Sequence, residues 1–487
     1  MMKLKRSIRI ALAVVFLLIT AISAKIIFDL NLLPMKLFVR ICEGLFIVNF
    51  IAAFCLLINK RGFVKVFSFI LYFILNIASV ATMYYGITTN NFLKNAFGNA
   101  EEEYKAAYVI LSKNDYTEED LKGKDIAYLD TLPEKEKVFE ELAKKDIKTF
   151  LENTEVEVAI AQDVVLLDNA TYVYLKENQA EINVSELKVI FEFNVAIKLS
   201  NDAIGEEELD EGVKGEYQAL TPGEYYNIFL GGYDFTNTFM DFNMLVSINK
   251  TNNEILLTTI PRDFYITDAR VGRKDKLSDM GARGIETNMA SVAKLFGVKI
   301  DYYIKVNTKS LVALVDAVGG ITYCSDSEYT TSHAMILDTY NDSLGEKLHV
   351  KKGCQGLNGI QTLTVARERL AFKSGDNQRQ KNNAKIMTAI LNKMKSPAMA
   401  TRFPSVLSAV SGFYTTTIPA DLVTSSVQEL IENPNWVIKT QSVTGSGGQD
   451  YIFFGKTKDY VMYPNYGTVN AAKRKIQGMK YKRLSAL

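Results

Sequence analysis

Along the first 90 or so positions apolar residues run almost unbroken in three stretches, Ile10 to Phe28, Leu37 to Ile58 and Val66 to Gly86, each long enough to predict a membrane-spanning helix. From about Tyr104 the pattern shortens. The runs "AAYVIL", "DIAYLD", "TYVYL" and "KVIFEF" read as strands and "EKEKVFEELAKKD" as a helix, which predicts a small α/β module reaching to about Ser200. The acidic stretch "GEEELDEG" and the turn-rich "LTPGEYYN" read as a solvated linker. These breaks divide the chain into a membrane anchor at 1–95, an accessory domain at 96–217 and a larger domain at 218–487.

In the larger domain "NIFLGGYD", "FNMLVSIN" and "EILLTTI" predict three strands with short connections. If they neighbour one another in up-and-down order, the end of the first, the start of the second and the end of the third share one sheet edge. That edge would gather Asp234, Asp241, Arg262 and Asp263. Two helices follow, with Ile285, Met289, Val292 and Phe296 on one apolar face and Leu311, Leu314, Val315 and Val318 on the other. Such faces either pack in the core or line a slot for an acyl or isoprenoid chain; periodicity does not separate the two.

Charge changes the picture little: 56 Lys and Arg stand against 55 Asp and Glu, which gives no bulk reason to expect nucleic acid. The local distribution says more. Lys3, Lys5, Arg6 and Arg9, and then Lys60, Arg61 and Lys65, predict cytoplasmic segments, so an odd number of spans places the body from residue 90 outside the cell. A cleaved signal peptide is the competing reading of the first stretch. Arg40 and Glu43 sit near the outer end of the second span, where snorkelling or pairing accounts for them. Cys42 and Cys55 fall within that span as small apolar side chains, whereas Cys324 and Cys354 are the only thiols of the body and are expected to bond to each other, with two free thiols as the alternative.

Candidate chemistry collects in the larger domain. Two carboxylates beside an arginine suit acid–base catalysis, a hard cation such as Mg²⁺, or simple turn capping. Lys274 and Lys276 add basic partners. In "TVARERLAF" extended backbone would put Arg367 and Arg369 on one face as a phosphate clamp. Asp376 is placed to cap a helix on which Arg379, Asn383, Ile386 and Ile390 form one stripe, polar at its start and apolar beyond, suited to an anionic head with a greasy tail.

The ordered series "GGYD", "MDFNMLVSIN", "LLTTIPRDFYI", "KDKLSDMG", "LVDAVGGI", "LNGIQTLTVARERLAF" and "GDNQRQKNNAKIMTAIL" resembles the catalytic domain of the LytR-CpsA-Psr family of Gram-positive glycopolymer ligases. The three spans and the intervening module are similar to the capsule-linked branch of that family. The resemblance implies an α-β-α catalytic domain with a central mixed sheet, after a three-helix membrane anchor and a small α/β accessory domain. It further implies a phosphotransferase acting outside the cell, moving a glycopolymer of capsule, teichoic acid or similar type from a polyprenyl diphosphate to a sugar hydroxyl of peptidoglycan. Asp234 and Asp241 match the family's metal-binding positions, for Mg²⁺ or else Mn²⁺. Arg262, Lys276, Arg367, Arg369, Arg379 and Asn383 match its diphosphate-binding positions, with Asp234, Arg262 and Arg369 catalytic and Asp234 the first candidate base. The two amphipathic helices would help to form a prenyl-chain tunnel.

Two departures accompany the resemblance. Phe239 stands where many members have an arginine, and Lys381 and Asn383 replace an arginine and a glutamine. The polymer-carrying lipid, peptidoglycan and membrane lipid are the implied partners, without nucleic acid. A diphosphate hydrolase and a non-catalytic sensor or attenuator of wall synthesis are the other classes. A DNA-binding regulator lacks room for a reading helix on the short cytoplasmic segments, and His333 and His349, the two histidines of the chain, belong to no motif.

Overall fold

The computed structural model describes residues 6–31, 33–58, 62–97, 103–177, 184–198, 217–221, 223–234, 238–335, 346–396, 398–433, 435–453 and 458–483. The linker at 205–212 and the orienting residues Lys3, Lys5, Lys60 and Arg61 lie outside them.

The chain opens with α1 (Arg6–Asp29), α2 (Met35–Ile58) and α3 (Gly62–Phe97), all long and apolar enough to cross a membrane and largely uncovered by the rest of the protein. Some of their polar side chains bond across the bundle, as lipid favours: Tyr72 donates to the Ala13 carbonyl and Ser23 to the Ser79 carbonyl, both at 2.9 Å. The third helix passes Gly86 and continues to Phe97. Thr88 and Thr89 there bond back to the carbonyls of Tyr84 and Tyr85, and Leu93 is buried against Leu30, Phe403 and Leu407, so contact with the body extends it.

The accessory domain is a mixed five-stranded sheet in the order β3-β2-β4-β1-β5, from β1 (Glu103–Ser112), β2 (Ile126–Leu129), β3 (Phe150–Asn153), β4 (Val164–Asp168) and β5 (Lys188–Lys198). Helices α4 (Lys135–Ala143), α5 (Val156–Ala161) and α6 (Asn169–Glu177) complete it. "TYVYL", read as a strand, lies in α6. Asp168 accepts from the Thr171 amide at 3.0 Å and from its hydroxyl, which turns the chain into a helix, and the preceding "VVLLD" is the strand.

The larger domain is a three-layer α-β-α sandwich, closed by β6 (Tyr217–Ala219) pairing with the last strand, β21 (Tyr481–Arg483). Its sheet has the order β17-β12-β7-β8-β9-β18, with β7 (Tyr225–Tyr233), β8 (Met240–Asn249) and β9 (Glu254–Ile260) adjacent and antiparallel as the short connections predict. After the short pair β10 (Tyr265–Thr267) and β11 (Lys274–Lys276) come α7 (Leu277–Met280), α8 (Ile285–Phe296), β12 (Tyr302–Val306) and α9 (Thr308–Ala317). The strands β13 (Ile321–Ser325) and β16 (Gly353–Leu357) pair, as do β14 (Tyr329–Ala334) and β15 (Lys347–Val350). Then follow α10 (Gly359–Arg367), α11 (Asp376–Met394), α12 (Ala398–Val410), β17 (Tyr414–Thr416), α13 (Ala420–Glu432), β18 (Val437–Ser442), the hairpin β19 (Gly445–Tyr451) and β20 (Lys458–Pro464), and α14 (Tyr466–Gly478).

The two sheet faces are covered separately. Helices α8 and α14 bury Ile285, Met289, Val292, Phe296, Val469 and Ile476 against Phe229 and Leu245, while α11 and α13 cover Leu230, Met244 and Leu257 with Met387, Leu391 and Leu430. The face of α8 is therefore core and lines no slot. That of α9 joins a different apolar cluster, with Ile386, Ile390, Met399 and Val406 of α11 and α12.

Contacts from the accessory domain reach the loops that carry the chemistry. Arg270 donates to both oxygens of Glu134, and Phe239 and Phe453 pack against the accessory cluster of Val109, Leu111 and Leu167. Phe239, the residue in place of an arginine, thus serves the joint between domains.

Cys324 and Cys354 are bonded across β13 and β16 at directly paired positions. For a sequence separation of 30 the bond is expected to contribute about 3 to 4 kcal/mol by restricting the unfolded chain. Denaturant unfolding of the body with and without reductant measures this, and an unchanged midpoint would show that strand pairing suffices.

Candidate functional site

The segment "IPRDF" leaves β9 as an extended strand would, but its turn is pinned from both sides. The Ser278 amide donates to the Arg262 carbonyl at 2.8 Å, Leu277 to Phe264 at 2.9 Å and Met462 to Asp263 at 2.7 Å. Pro261 supplies no donor of its own, and buried Phe264 seats the turn in the core. Arg262 is held at the sheet edge with Asp241, at the start of β8, bonded to its Nη1, and with Asp263 Oδ1 3.5 Å from its Nε. Burial opposes its charge, but Asp241 and Asp263 outweigh that and raise its pKa.

The helix α11 brings the second arginine. Gly375 is its N-cap, at φ 49°, and Asp376 sits one residue further along, in the first turn rather than at the cap. From there it pairs with Arg379 at i+3. Arg379, Asn383, Ile386 and Ile390 all lie buried on one side of the helix, polar first and apolar beyond. Lys381 is exposed on the other side.

"ARER" is not extended. Asn358 and Gln361 form a capping box that starts α10, and the helix runs through Arg367 before Glu368 turns out of it at ψ 125°. Glu368 is buried and accepts from the Ser332 hydroxyl at 3.0 Å and the Ala371 amide at 2.8 Å. Arg367 and Arg369 therefore share no strand face. Arg369 faces the other arginines: burial and repulsion from Arg262 and Arg379 push its pKa down, partly relieved by Asp263 and Asp376. Arg367 stays at the helix end, and neither of these two forms an ion pair among the described residues.

Lys276 of β11 completes the group. Its ammonium lies 3.5 Å from Asp279 and is bonded to Asp459 of β20. Burial disfavours that charge, yet Asp279 and Asp459 hold its pKa above the ordinary value. Asp263 is itself raised, mainly by burial, against the pull of Arg262. The Nε atoms of Arg262 and Arg379 are buried without a hydrogen-bond partner, and the arginines together make a pocket of donors suited to an anion.

Asp234 stands at the end of β7, where its Oδ1 accepts from the amides of Thr238 at 3.1 Å and Phe239 at 3.3 Å. Asp241 lies in β8 at the register shift opposite Gly232 and Tyr233, the end of β7 that leads to Asp234, and is partly open to solvent. No cluster of three or more His, Cys, Asp or Glu suited to a metal occurs among the described residues. Two carboxylates alone fit a cation that takes few protein oxygens and fills its shell with water and phosphate.

Asp279, Asp459 and Tyr460 escaped the reading of motifs. Only the fold brings "KDYVMYP" beside "PRDF", some 200 residues earlier in the chain. The acidity around Lys276 was legible in "KDKLSD", but not its direction.

Known proteins share the sequence of the larger domain. The family model described as "LytR_cpsA_psr family" matches residues 191–468, more than half of the chain. The chain is 27% identical over 262 residues to the polyisoprenyl-teichoic acid–peptidoglycan teichoic acid transferase TagU of Bacillus cereus, covering 53% of this chain and 77% of that protein. It is 31% identical over 182 residues to the protein of the same name from Bacillus mycoides, covering 37% of this chain and little more than half, 55%, of the relative. Among solved structures, TagV of B. subtilis aligns with a TM-score of 0.45 at 21% identity, over 53% of this chain and 98% of that one.

Asp279 gives the site a pH dependence. Its carboxyl is pushed up to about 6 from 3.8, first by burial and then by Asp275, so the folded protein holds this proton more tightly than the unfolded chain. The stability it contributes is complete below the ordinary value of 3.8 and is lost as pH rises through about 6. As pH falls through the same window, Lys276 loses one of two carboxylate partners. Affinity for a diphosphate lipid, measured by titration from neutral to mildly acid pH, is expected to gain more in the wild type than in Asp279→Asn; equal gains would show that Asp279 does not govern Lys276.

Proposed function

Since the chain belongs to the LytR_cpsA_psr family, we propose that it is a membrane-anchored phosphotransferase that attaches a polyprenyl-diphosphate-linked glycopolymer to peptidoglycan. The single observation that carries this reading is Arg369, a half-buried cation that forms no ion pair among the described residues and is set against Arg262 and Arg379. Such crowding of guanidiniums is unfavourable until an anion bearing several oxygens enters. The names of the relatives above, transferases of polyisoprenyl-teichoic acid, support a polymer-carrying lipid as the source of that anion.

In the reaction an acceptor hydroxyl oxygen bonds to the polymer-side phosphorus. The bridging P–O bond breaks, and polyprenyl phosphate leaves with the bond electrons. Arg262, Arg369, Arg379 and Lys276 neutralise the phosphate oxygens, so positioning and charge account for the rate. The acceptor's proton goes to a carboxylate. Asp263 is better suited than Asp234, because burial raises its pKa while Asp234 Oδ1 already accepts two backbone amides. Asp234 and Asp241 would hold Mg²⁺ or Mn²⁺, which supplies further neutralisation of phosphate charge. Arg367 takes part as an outlying phosphate contact, and Asn383 lines the polar start of the α11 stripe, whose apolar continuation suits the prenyl chain.

The body would lie outside the cell with the N-terminus in the cytoplasm, at the membrane of a Gram-positive bacterium. Membrane lipid surrounds α1 to α3. Contact of Leu93 in α3 with Phe403 in α12 favours lipid arriving along that helix. The polymer is of the teichoic or capsular type.

The full chain in detergent, given a synthetic polyprenyl-diphosphate oligosaccharide, peptidoglycan fragments and Mg²⁺, is expected to yield a phosphodiester conjugate and polyprenyl phosphate by mass spectrometry, both lost on chelation. Sugar phosphate without conjugate would make it a hydrolase instead. Arg369→Ala, with unchanged thermal unfolding, and Asp263→Asn, with some loss of stability because Arg262 keeps only Asp241, are each expected to slow transfer by about 100-fold or more. Full turnover in Arg369→Ala would remove the basis for the assignment.

A further inference from the structure

A transfer reaction needs a place for its second substrate, and one wall of the cleft has the chemistry for it. The hairpin β19–β20 carries three tyrosines open to solvent, Tyr451 at 54%, Tyr460 at 48% and Tyr463 at 37% exposure. Large rings left uncovered in a cluster mark an interaction surface. Their orientation is imposed by the facing strand. A Cβ on Gly447 would come within 2.9 Å of the Tyr460 ring, and one on Gly448 within 2.3 Å of the Tyr463 ring. The glycines of "GSGGQDY" let each ring come close against the neighbouring strand, on opposite faces of the hairpin.

This hairpin is continuous with the phosphate site. Met462 donates to the Asp263 carbonyl at 2.7 Å, Phe264 bridges to Met462, and Asp459 is bonded to Lys276. Tyr460 neighbours Asp459 and lies in the electrostatic field of Asp263, Asp376 and Arg369. Tyr463 is turned away to Tyr265, at 6.0 Å between ring centres, and its hydroxyl donates to Asp450 at 3.1 Å. Lys458 covers the Tyr451 ring at 5.6 Å. Tyr460 is thus the ring left facing the cleft.

We infer that Tyr460, laid on Gly447 and flanked by Gln449, is the platform on which an uncharged pyranose ring of the acceptor glycan stacks while its hydroxyl reaches the phosphorus. A sugar ring has an apolar C–H face and a rim of hydroxyls, which an aromatic face with an amide beside it matches. The inference rests on the transferase reading for its biological sense, but its binding test does not.

Titration of the full-length protein with chitohexaose, an uncharged glycan, is expected to show saturable binding that weakens about tenfold in Tyr460→Ala, as loss of one stacked ring would give. Tyr460→Phe keeps the ring and should bind as the wild type does. Gly447→Val, which leaves Tyr460 in place but drives its ring off the strand, should weaken binding as alanine does. In the transfer assay Tyr460→Ala should raise the acceptor KM and leave the donor KM unchanged. No binding by the wild type, or equal binding by Tyr460→Ala, would overturn the platform. Binding that is lost in Tyr460→Ala while the wild type performs no transfer would uphold the platform and refute the transferase.

Discussion

Everything in the cleft depends on an arginine kept charged at the end of a buried strand. Arg262 is mostly enclosed by protein, where an unpaired guanidinium would be costly, and it stays there because Asp241 reaches it from β8 and Asp263 from the next residue in the chain. Both partners are positioned by the antiparallel order of β7, β8 and β9, and the turn itself is fixed by backbone bonds to α7 and β20. Arg379 and Asp376 repeat the device on α11. Arg369 lacks it among the described residues, and that asymmetry leaves room for an anion.

Much of this was legible in the order of residues. Alternation and short connections point to β7, β8 and β9 side by side, an order that would gather Asp234, Asp241, Arg262 and Asp263 at one edge. The stripe on α11 could be read from helical spacing. Legibility failed where a local signal was overruled by a neighbour several residues away. "TYVYL" has the composition of a strand, but Asp168 caps it into a helix. "ARER" alternates like a strand, yet the Asn358 capping box carries a helix through it to Arg367. The contribution of Asp459 and Tyr460 needed the fold itself, because parallel contact of Met462 with Phe264 has no signature in either segment.

The departures from the family pattern are explained in part by the accessory domain. An arginine at position 239 would have to put its charge where Phe239 packs against Val109 and Leu167 of the neighbouring sheet. Phe239, near the second carboxylate, serves a joint between domains. That joint, with the Arg270 to Glu134 pair, ties the accessory sheet to the loop leading to Lys276. Asn383 is buried on the same face as Arg379. Nothing in the structure explains Lys381, which is exposed on the outer face of α11.

We propose that the arginine cluster takes two linked phosphates rather than one. The direct measurement is the affinity of the full-length protein for a polyprenyl diphosphate and for the matching monophosphate, in wild type and in Arg262→Ala. The expected result is a clear preference for the diphosphate in the wild type that Arg262→Ala abolishes while its affinity for the monophosphate changes little. Equal affinity for the two lipids in the wild type, or a preference that survives loss of Arg262, would contradict it.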